Sequence, residues 1–148
     1  MINKEDTLNL NSGNSIPVMG LGTWQLTTDT AETVLYAIQK GYRLIDTSSD
    51  YGTQPGIGEA IQKTEVPRDN LYITTKVEET DDAFSATKKY TQEMKLDYTD
   101  LMLIHRPPLT GAGIDLWKRL IKARKEGLTK DIGVSNYTIE QIEKLISE

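Results

Sequence analysis

The sequence has no cysteine among its 148 residues, so neither a disulfide framework nor a thiolate metal site can form. Nothing in it requires an oxidising compartment, and we expect a cytoplasmic location. The N-terminal stretch MINKEDTLNLNSGNS lacks the apolar core of a signal peptide, and no segment approaches the ~20 apolar residues that span a bilayer. The sequence therefore predicts neither secretion nor insertion into a membrane.

Basic residues are outnumbered, with 17 lysines and arginines against 22 acidic residues and a net charge of -5. Phosphate contacts need a basic surface, so this balance disfavours a nucleic-acid partner. The chain has a single histidine, and no grouping of residue types predicts a metal site. A content of 37% hydrophobic and 26% charged residues is that of an ordinary globular protein, and we predict one domain over residues 1–148.

Short aliphatic runs alternate with longer segments of helical period, which is typical of βα units around a parallel sheet. A hairpin is predicted first, with its strands at 8–10 and 16–18 around the turn Asn11-Ser12-Gly13-Asn14. The predicted strands that follow are 17–21, 43–46, 71–76, 101–105 and 132–135, and the predicted helices are 29–40, 58–63, 80–94, 114–126 and a last one after Thr138. Thr80, Asp81 and Asp82 offer capping oxygens to the third helix, and Thr138 with Gln141 predicts a capping box for the last. Five units fall short of the eight, in ~250 residues, that close a TIM barrel.

Several of these predicted strands have a polar residue at the same place, the carboxyl end. Asp46 and His105 directly follow aliphatic residues, Lys76 ends the run Ile73-Thr74-Thr75-Lys76 on the strand between them, and Ser135 with Asn136 ends the next strand. Taken singly, each has a structural explanation, since a strand-end Asp is often a turn acceptor and a strand-end Lys is usually solvated. Active-site groups of a (β/α)8 barrel come from the carboxyl ends of its strands, which form one rim of the barrel. Together these polar residues therefore indicate a single site at that rim.

Five ordered motifs carry a resemblance to a known family: GLGTW at 20–24, RLIDTSSDYG at 43–52, ITTKV at 73–77, LIHRP at 103–107 and IGVSNY at 132–137. In order and spacing they resemble the aldo-keto reductases over essentially the whole chain. The resemblance implies an α/β fold, an incomplete TIM-type (β/α) barrel of about five βα units with an N-terminal β-hairpin. It also implies NAD(P)H-dependent reduction of aldehydes or ketones to alcohols.

By the same resemblance, Tyr51 is the general acid that protonates the carbonyl oxygen while a nicotinamide delivers hydride to the carbon. An unperturbed tyrosine titrates near ~10, so a neighbouring positive charge is needed, and Lys76 is expected to supply it. Asp46 is expected to pair with Lys76 and keep its ammonium charged and in place. His105 is expected to hydrogen-bond the substrate carbonyl and orient it.

The resemblance assigns the nicotinamide carboxamide to Ser135 and Asn136, whose side chains offer a donor and an acceptor, with Thr23 and Asp46 also facing the cofactor. Trp24 matches an aromatic wall of the substrate pocket. NADP is the expected cofactor, and NAD stays open. Two departures surround Tyr51, namely Gln54 in place of a frequent acidic residue and Asp50 in place of a small one. A short segment after His105 predicts an open pocket.

Nothing after Glu148 corresponds to strands six to eight, which in this family carry the aromatic that stacks on nicotinamide and the residues that grip phosphate. We therefore expect weak cofactor binding and exposed barrel edges that favour self-association or a complementing chain. Two copies supply ten parallel strands, not eight. Alternatives are a non-catalytic truncated barrel fragment that self-associates or pairs with another chain, and a Schiff-base lyase that uses Lys76. Pairing with Asp46 favours a charged lysine over a nucleophilic one.

Overall fold

The computed structural model describes residues 3–147, which form a β-hairpin followed by alternating strands and helices. The hairpin strands are β1 (Thr7–Asn9) and β2 (Ser15–Pro17). The remaining strands are β3 (Gly20–Gly22), β4 (Leu44–Asp46), β5 (Tyr72–Val77), β6 (Thr99–Ile104) and β7 (Thr129–Val134), and the α-helices are α1 (Thr30–Gln39), α2 (Gln54–Lys63), α3 (Ala83–Glu93), α4 (Ile114–Lys125) and α5 (Ile139–Ile146). Short 3-10 helices cover Ser49–Tyr51 and Arg68–Asn70. Within 3–147, no helix combines the length and the apolar character that a membrane crossing needs.

The sheet confirms the predicted fold class. Strands β3 to β7 pair in sequence order, all parallel, whereas the hairpin strands β1 and β2 pair antiparallel and separately. Sequential parallel strands joined by helices are the construction of a TIM barrel. Among the described residues β3 and β7 each pair on one side only, so five strands form an open barrel wall.

Alternation along the strands divides the wall into two faces. Ile45 and Ile73 pack with α1 and α2 in one apolar cluster, and Met102 and Ile104 pack with α3 and α4 in a second. Successive side chains of a strand point to opposite faces, so the residues between these point toward the barrel interior. That inner face carries the polar strand ends, and all of them meet at the carboxyl end of the sheet.

Helix boundaries follow the predicted caps. Asp82 accepts a hydrogen bond from the Ser85 amide at 2.9 Å at the start of α3. Thr138 and Gln141 form the predicted capping box at the start of α5. Both caps satisfy backbone amides that have no partner within the helix, and this local chemistry is what made the boundaries readable in the sequence.

Several boundaries differ from the prediction, among them the start of α3 at Ala83 rather than at residue 80 and the start of β7 at Thr129 rather than at residue 132. The predicted strand 17–21 is wrong in position, because Pro17 ends the hairpin and β3 occupies Gly20–Gly22. Helix α2 begins at Gln54 rather than at residue 58. Glycine disfavours helix, so the glycines of α2 weaken the helical pattern in the sequence. In the structure the same glycines permit close packing. A Cβ at Gly56 would lie 2.6 Å from the Thr30 Cβ, and one at Gly58 would overlap the Met94 carbonyl group.

The buried hydroxyl oxygen of Tyr137 and the hydroxyl of the buried Tyr90 differ in hydrogen bonding, and the difference can be tested. The Tyr137 hydroxyl forms no hydrogen bond within residues 3–147, whereas the Tyr90 hydroxyl donates to Asp81 Oδ2 at 2.9 Å. We expect Tyr137→Phe to leave the free energy of unfolding unchanged or to raise it by about 1 kcal/mol, and Tyr90→Phe to lower it by about 1 kcal/mol. Urea unfolding of both variants measures the difference. Equal destabilisation by the two substitutions would contradict this account of the Tyr137 hydroxyl.

Candidate active site

An ion pair between Lys76 and Asp46 forms the floor of the site. Lys76 Nζ lies 2.9 and 3.0 Å from the two Asp46 carboxylate oxygens and donates to the Thr47 carbonyl oxygen at 2.6 Å. The register of β4 and β5 places Asp46 beside Thr74, two residues before Lys76, so both side chains emerge on the inner face. The lysine side chain is 8% exposed and the aspartate 37%. The pair therefore holds a charged ammonium beneath the open surface of the rim.

Tyr51 lies above this pair because the chain turns back after β4. The 3-10 helix Ser49–Tyr51 makes the turn, and Gly52 ends it with φ +71°. Lys76 Nζ lies 5.2 Å from the centroid of the Tyr51 ring, and the ring meets His105 edge to face at a centroid distance of 5.9 Å. The structure thus brings together all four residues predicted to transfer the proton.

The electrostatics of Tyr51 keep its proton on the phenol. Burial raises the pKa of Tyr51, the Asp46 and Asp50 carboxylates raise it further, and Arg106 lowers it. Because the ordinary value is about 10, the phenol is protonated throughout the neutral range and can serve as a donor. The two Asp46 oxygens balance the Lys76 charge in the resting site. The Lys76 ammonium therefore stabilises the Tyr51 oxygen mainly when negative charge develops on that oxygen during proton transfer.

His105 is buried at the end of β6 with its Nδ1 facing oxygen atoms. Nδ1 lies 2.9 Å from Glu78 Oε1, 3.1 Å from Ser48 Oγ and 3.6 Å from Asp50 Oδ1. The imidazole is 5% exposed. Its orientation is thus set by Glu78 just after β5 and by the turn before Tyr51, and Nε2 is the nitrogen left for a substrate.

The Ser135 and Asn136 pair follows β7 at the neighbouring strand end. Asn136 adopts φ +62°, a left-handed conformation that asparagine tolerates. Its Nδ2 donates to the His105 carbonyl oxygen at 2.9 Å and to Ser135 Oγ at 3.0 Å. This leaves the Asn136 amide oxygen as an acceptor and the Ser135 hydroxyl as a donor. The two groups match the needs of a carboxamide, so the residues present fit a nicotinamide.

Thr23 and Trp24 occupy different environments at the start of the rim. Thr23 is fully buried, and its hydroxyl contacts the Asp46 carbonyl oxygen at 3.0 Å and Thr53 Oγ1 at 2.9 Å. These bonds support the Asp46 strand end, and contact between Thr23 and a cofactor stays a prediction. Trp24 is 68% exposed, which leaves its indole available as a pocket wall.

Sequence reasoning missed Glu78, Ser48 and Arg106. Glu78 follows Lys76 by two residues and so lies on the same side of the extended chain, a spacing that could have signalled it. Arg106 Nη1 contacts Glu78 Oε2 at 3.2 Å, and its Nη2 lies 3.6 Å from Asp50 Oδ2. The potential ligand atoms of Asp50, Glu78 and His105 lie within 4.8 Å of one another. Arg106 already supplies the counter-charge to both carboxylates, and we assign no metal there.

Comparison with known proteins gives one consistent answer. Residues 18–148 match the family model described as the aldo/keto reductase family. An aldo-keto reductase of Mycolicibacterium smegmatis is 39% identical over 147 residues, and one of Mycolicibacterium vanbaalenii is 42% identical over 146. Each alignment covers 95% of this chain and 52% of the relative. The chain therefore spans about half the length of the curated relatives it matches.

Solved structures show the same correspondence. An aldo/keto reductase of Brucella melitensis superimposes with a TM-score of 0.90 at 36% identity, covering 96% of this chain and 58% of that one. An aldo-keto reductase of Bombyx mori in complex with NADP superimposes with a TM-score of 0.88 at 32% identity, covering 99% and 55%. The five-stranded wall thus corresponds to part of a reductase barrel.

Proposed function

The chain belongs to the aldo/keto reductase family, and we propose that it carries the proton-transfer part of an NADP-dependent carbonyl reductase that converts aldehydes or ketones to alcohols. The observation that carries the proposal is the Lys76–Asp46 pair, at 2.9 Å, with the Tyr51 ring above the ammonium and against His105. NADP is preferred over NAD because the Bombyx mori relative is a complex with NADP.

In this proposal the proton path runs through groups of this chain. Tyr51 donates its phenolic proton to the carbonyl oxygen, and the Lys76 ammonium stabilises the phenolate that develops. Asp46 holds Lys76 in place through both carboxylate oxygens. Ser135 and Asn136 hold the carboxamide of the cofactor, which supplies hydride to the carbonyl carbon when it is bound. The cytoplasmic location expected from composition is compatible with this chemistry.

We propose further that turnover needs strands that complete the barrel. Leu44, Leu101 and Leu103 alternate with helix-facing residues and are only partly covered on the inner face. The β3 and β7 edges are each unpaired on one side among residues 3–147. Further residues of the same polypeptide, a second copy or another chain could cover these groups. The outcome that favours a non-catalytic scaffold is association through these edges without any cofactor binding.

The direct test combines turnover with solution mass. We expect loss of nicotinamide absorbance when NADPH and a generic aldehyde are mixed with a species of the chain that binds NADPH, and no loss when the aldehyde is omitted. Light scattering in parallel reports whether the active species is larger than one chain. Absence of turnover in every species that binds NADPH contradicts the reductase proposal. Association without NADPH binding supports the scaffold instead.

A Schiff-base lyase is the remaining alternative for Lys76. Such an enzyme needs a neutral, nucleophilic amine, whereas Asp46 here contacts the Lys76 nitrogen with both oxygens. Borohydride treatment in the presence of an aldehyde is expected to leave Lys76 unmodified, as measured by peptide mass spectrometry. Trapping of the aldehyde on Lys76 would support the lyase.

A further inference from the structure

The Glu78 carboxylate lies at the rim and contacts four polar groups of the protein. Its Oε1 accepts from the Ser48 and Ser49 hydroxyls, each at 3.2 Å, and lies 2.9 Å from His105 Nδ1. Its Oε2 accepts from Arg106 Nη1 at 3.2 Å. Four groups from two segments of the chain, residues 48–49 and 105–106, therefore hold this one carboxylate, and one of the four is the His105 ring nitrogen.

The direction of the contact between Glu78 and His105 follows from the atoms involved. An ionised carboxylate has only acceptor oxygens, so a hydrogen bond to it requires a proton on Nδ1. Ser48 does not oppose this, because its hydroxyl donates to Glu78 and its oxygen can then accept from the same Nδ1–H. The Asp50 oxygen at 3.6 Å is a second acceptor on that side of the ring. Every oxygen facing Nδ1 can thus accept its proton.

We propose that Glu78 is a positioning residue that fixes the proton of neutral His105 on Nδ1, which makes Nε2 the atom presented to the substrate oxygen. In the neutral ring Nε2 then bears a lone pair and accepts a hydrogen bond. It donates one only when the ring carries both protons. The role of this choice in catalysis rests on the proposed function, but the tautomer itself does not.

This tautomer affects carbonyl reduction and the reverse reaction, alcohol oxidation, differently. A carbonyl oxygen needs a donor, so its orientation by His105 requires the doubly protonated ring. An alcohol offers a hydroxyl proton, so the neutral ring with a bare Nε2 can orient it. The charged or titratable groups that face the imidazole are Glu78 just after β5, Asp50 and Tyr51 from the 3-10 turn, and Arg106 through Glu78 and Asp50. By fixing the proton on Nδ1, Glu78 thereby helps to set which partner, carbonyl or alcohol, the neutral ring of His105 can orient.

The single histidine makes the tautomer directly measurable. Nitrogen-15 labelling of histidine gives two ring-nitrogen signals from the whole chain, and long-range proton–nitrogen correlation identifies which nitrogen is pyrrole-type and which is pyridine-type. In the wild-type chain, at a pH where the ring is neutral, we expect Nδ1 to be pyrrole-type. In Glu78→Gln we expect a shift toward pyrrole-type Nε2, because the glutamine amide can donate to a bare Nδ1.

Two variants serve as controls for the labelling experiment. Glu79→Gln removes one charge at the next residue and is expected to leave the pattern unchanged. Ser48→Ala removes the hydroxyl but keeps the carboxylate, and it should also retain pyrrole-type Nδ1. Wild-type protein with pyrrole-type Nε2 overturns the proposal even if no variant folds, and so does a Glu78→Gln pattern identical to wild type. No cofactor or turnover enters the measurement, so failure of the reductase proposal is seen separately, as NADPH binding without turnover.

Discussion

Replacement of Tyr51 with phenylalanine is expected to lower the rate of aldehyde reduction by about 10²–10⁴-fold, the usual contribution of a positioned general acid. The substitution removes the only hydroxyl of the ring and keeps its contacts with Lys76 and His105. NADPH binding should therefore be unchanged. Initial rates of NADPH oxidation, normalised to the fraction of protein that binds NADPH, measure the effect.

Tyr36→Phe is the matched control for Tyr51→Phe. Tyr36 lies on the outer helix α1, is 59% exposed and has Lys40 Nζ 5.0 Å from its ring centroid. It should keep the wild-type rate. An unchanged rate in Tyr51→Phe, with a normal rate in Tyr36→Phe, would remove Tyr51 from the proton path and leave the turnover to another donor.

Replacement of Lys76 with methionine is expected to reduce both turnover and stability. The change leaves the Asp46 carboxylate and the Thr47 carbonyl oxygen without their donor. Breaking a fully buried pair costs about 3–5 kcal/mol, and because Asp46 is 37% exposed we expect about 1–3 kcal/mol here. Turnover should fall by about 10²-fold or more, since no positive charge then stabilises the phenolate. Urea unfolding and NADPH oxidation measure the two effects.

A second lysine provides the control for this pair. Lys63 contacts Glu59 at 2.6 Å, but the two side chains are 59% and 54% exposed. Lys63→Met should therefore leave the urea midpoint of unfolding close to that of the wild type. The double variant Asp46→Asn with Lys76→Met should be more stable than the sum of the single effects predicts, because the second change removes the stranded partner. Additive effects would show that the two side chains do not act as a pair.

The sequence predicted which residues meet at the rim because parallel strands leave little freedom in where their ends lie. Each strand end in a βα repeat lies at the same edge of the sheet, so Asp46, Lys76 and His105 had to come close once the strands were identified. Tyr51 follows Asp46 by five positions, which allowed the return turn that the structure contains. The motif spacing, rather than helix or strand propensity, carried this information.

The remaining features depend on packing that no local pattern encodes. The start of α2 at Gln54 was missed because Gly56 and Gly58 weaken a helical pattern while serving close contacts between helices. The burial of Thr23 follows from hydroxyl contacts with a strand 23 residues away. Glu78 was missed because a charged residue just past a strand is ordinarily solvated. Only the fold shows that its carboxylate faces His105.

Transfer of deuterium from NADPH labelled on the hydride-donating carbon tests the central claim most directly. The labelled cofactor is incubated with an aldehyde and the chain, in whichever assembled state binds NADPH, and the alcohol is analysed by mass spectrometry. The proposed function predicts an alcohol with one deuterium on the former carbonyl carbon, and almost none with Tyr51→Phe. Unlabelled product, or no alcohol from a chain that binds NADPH, would contradict the assignment of a reductase site to Asp46, Tyr51, Lys76 and His105.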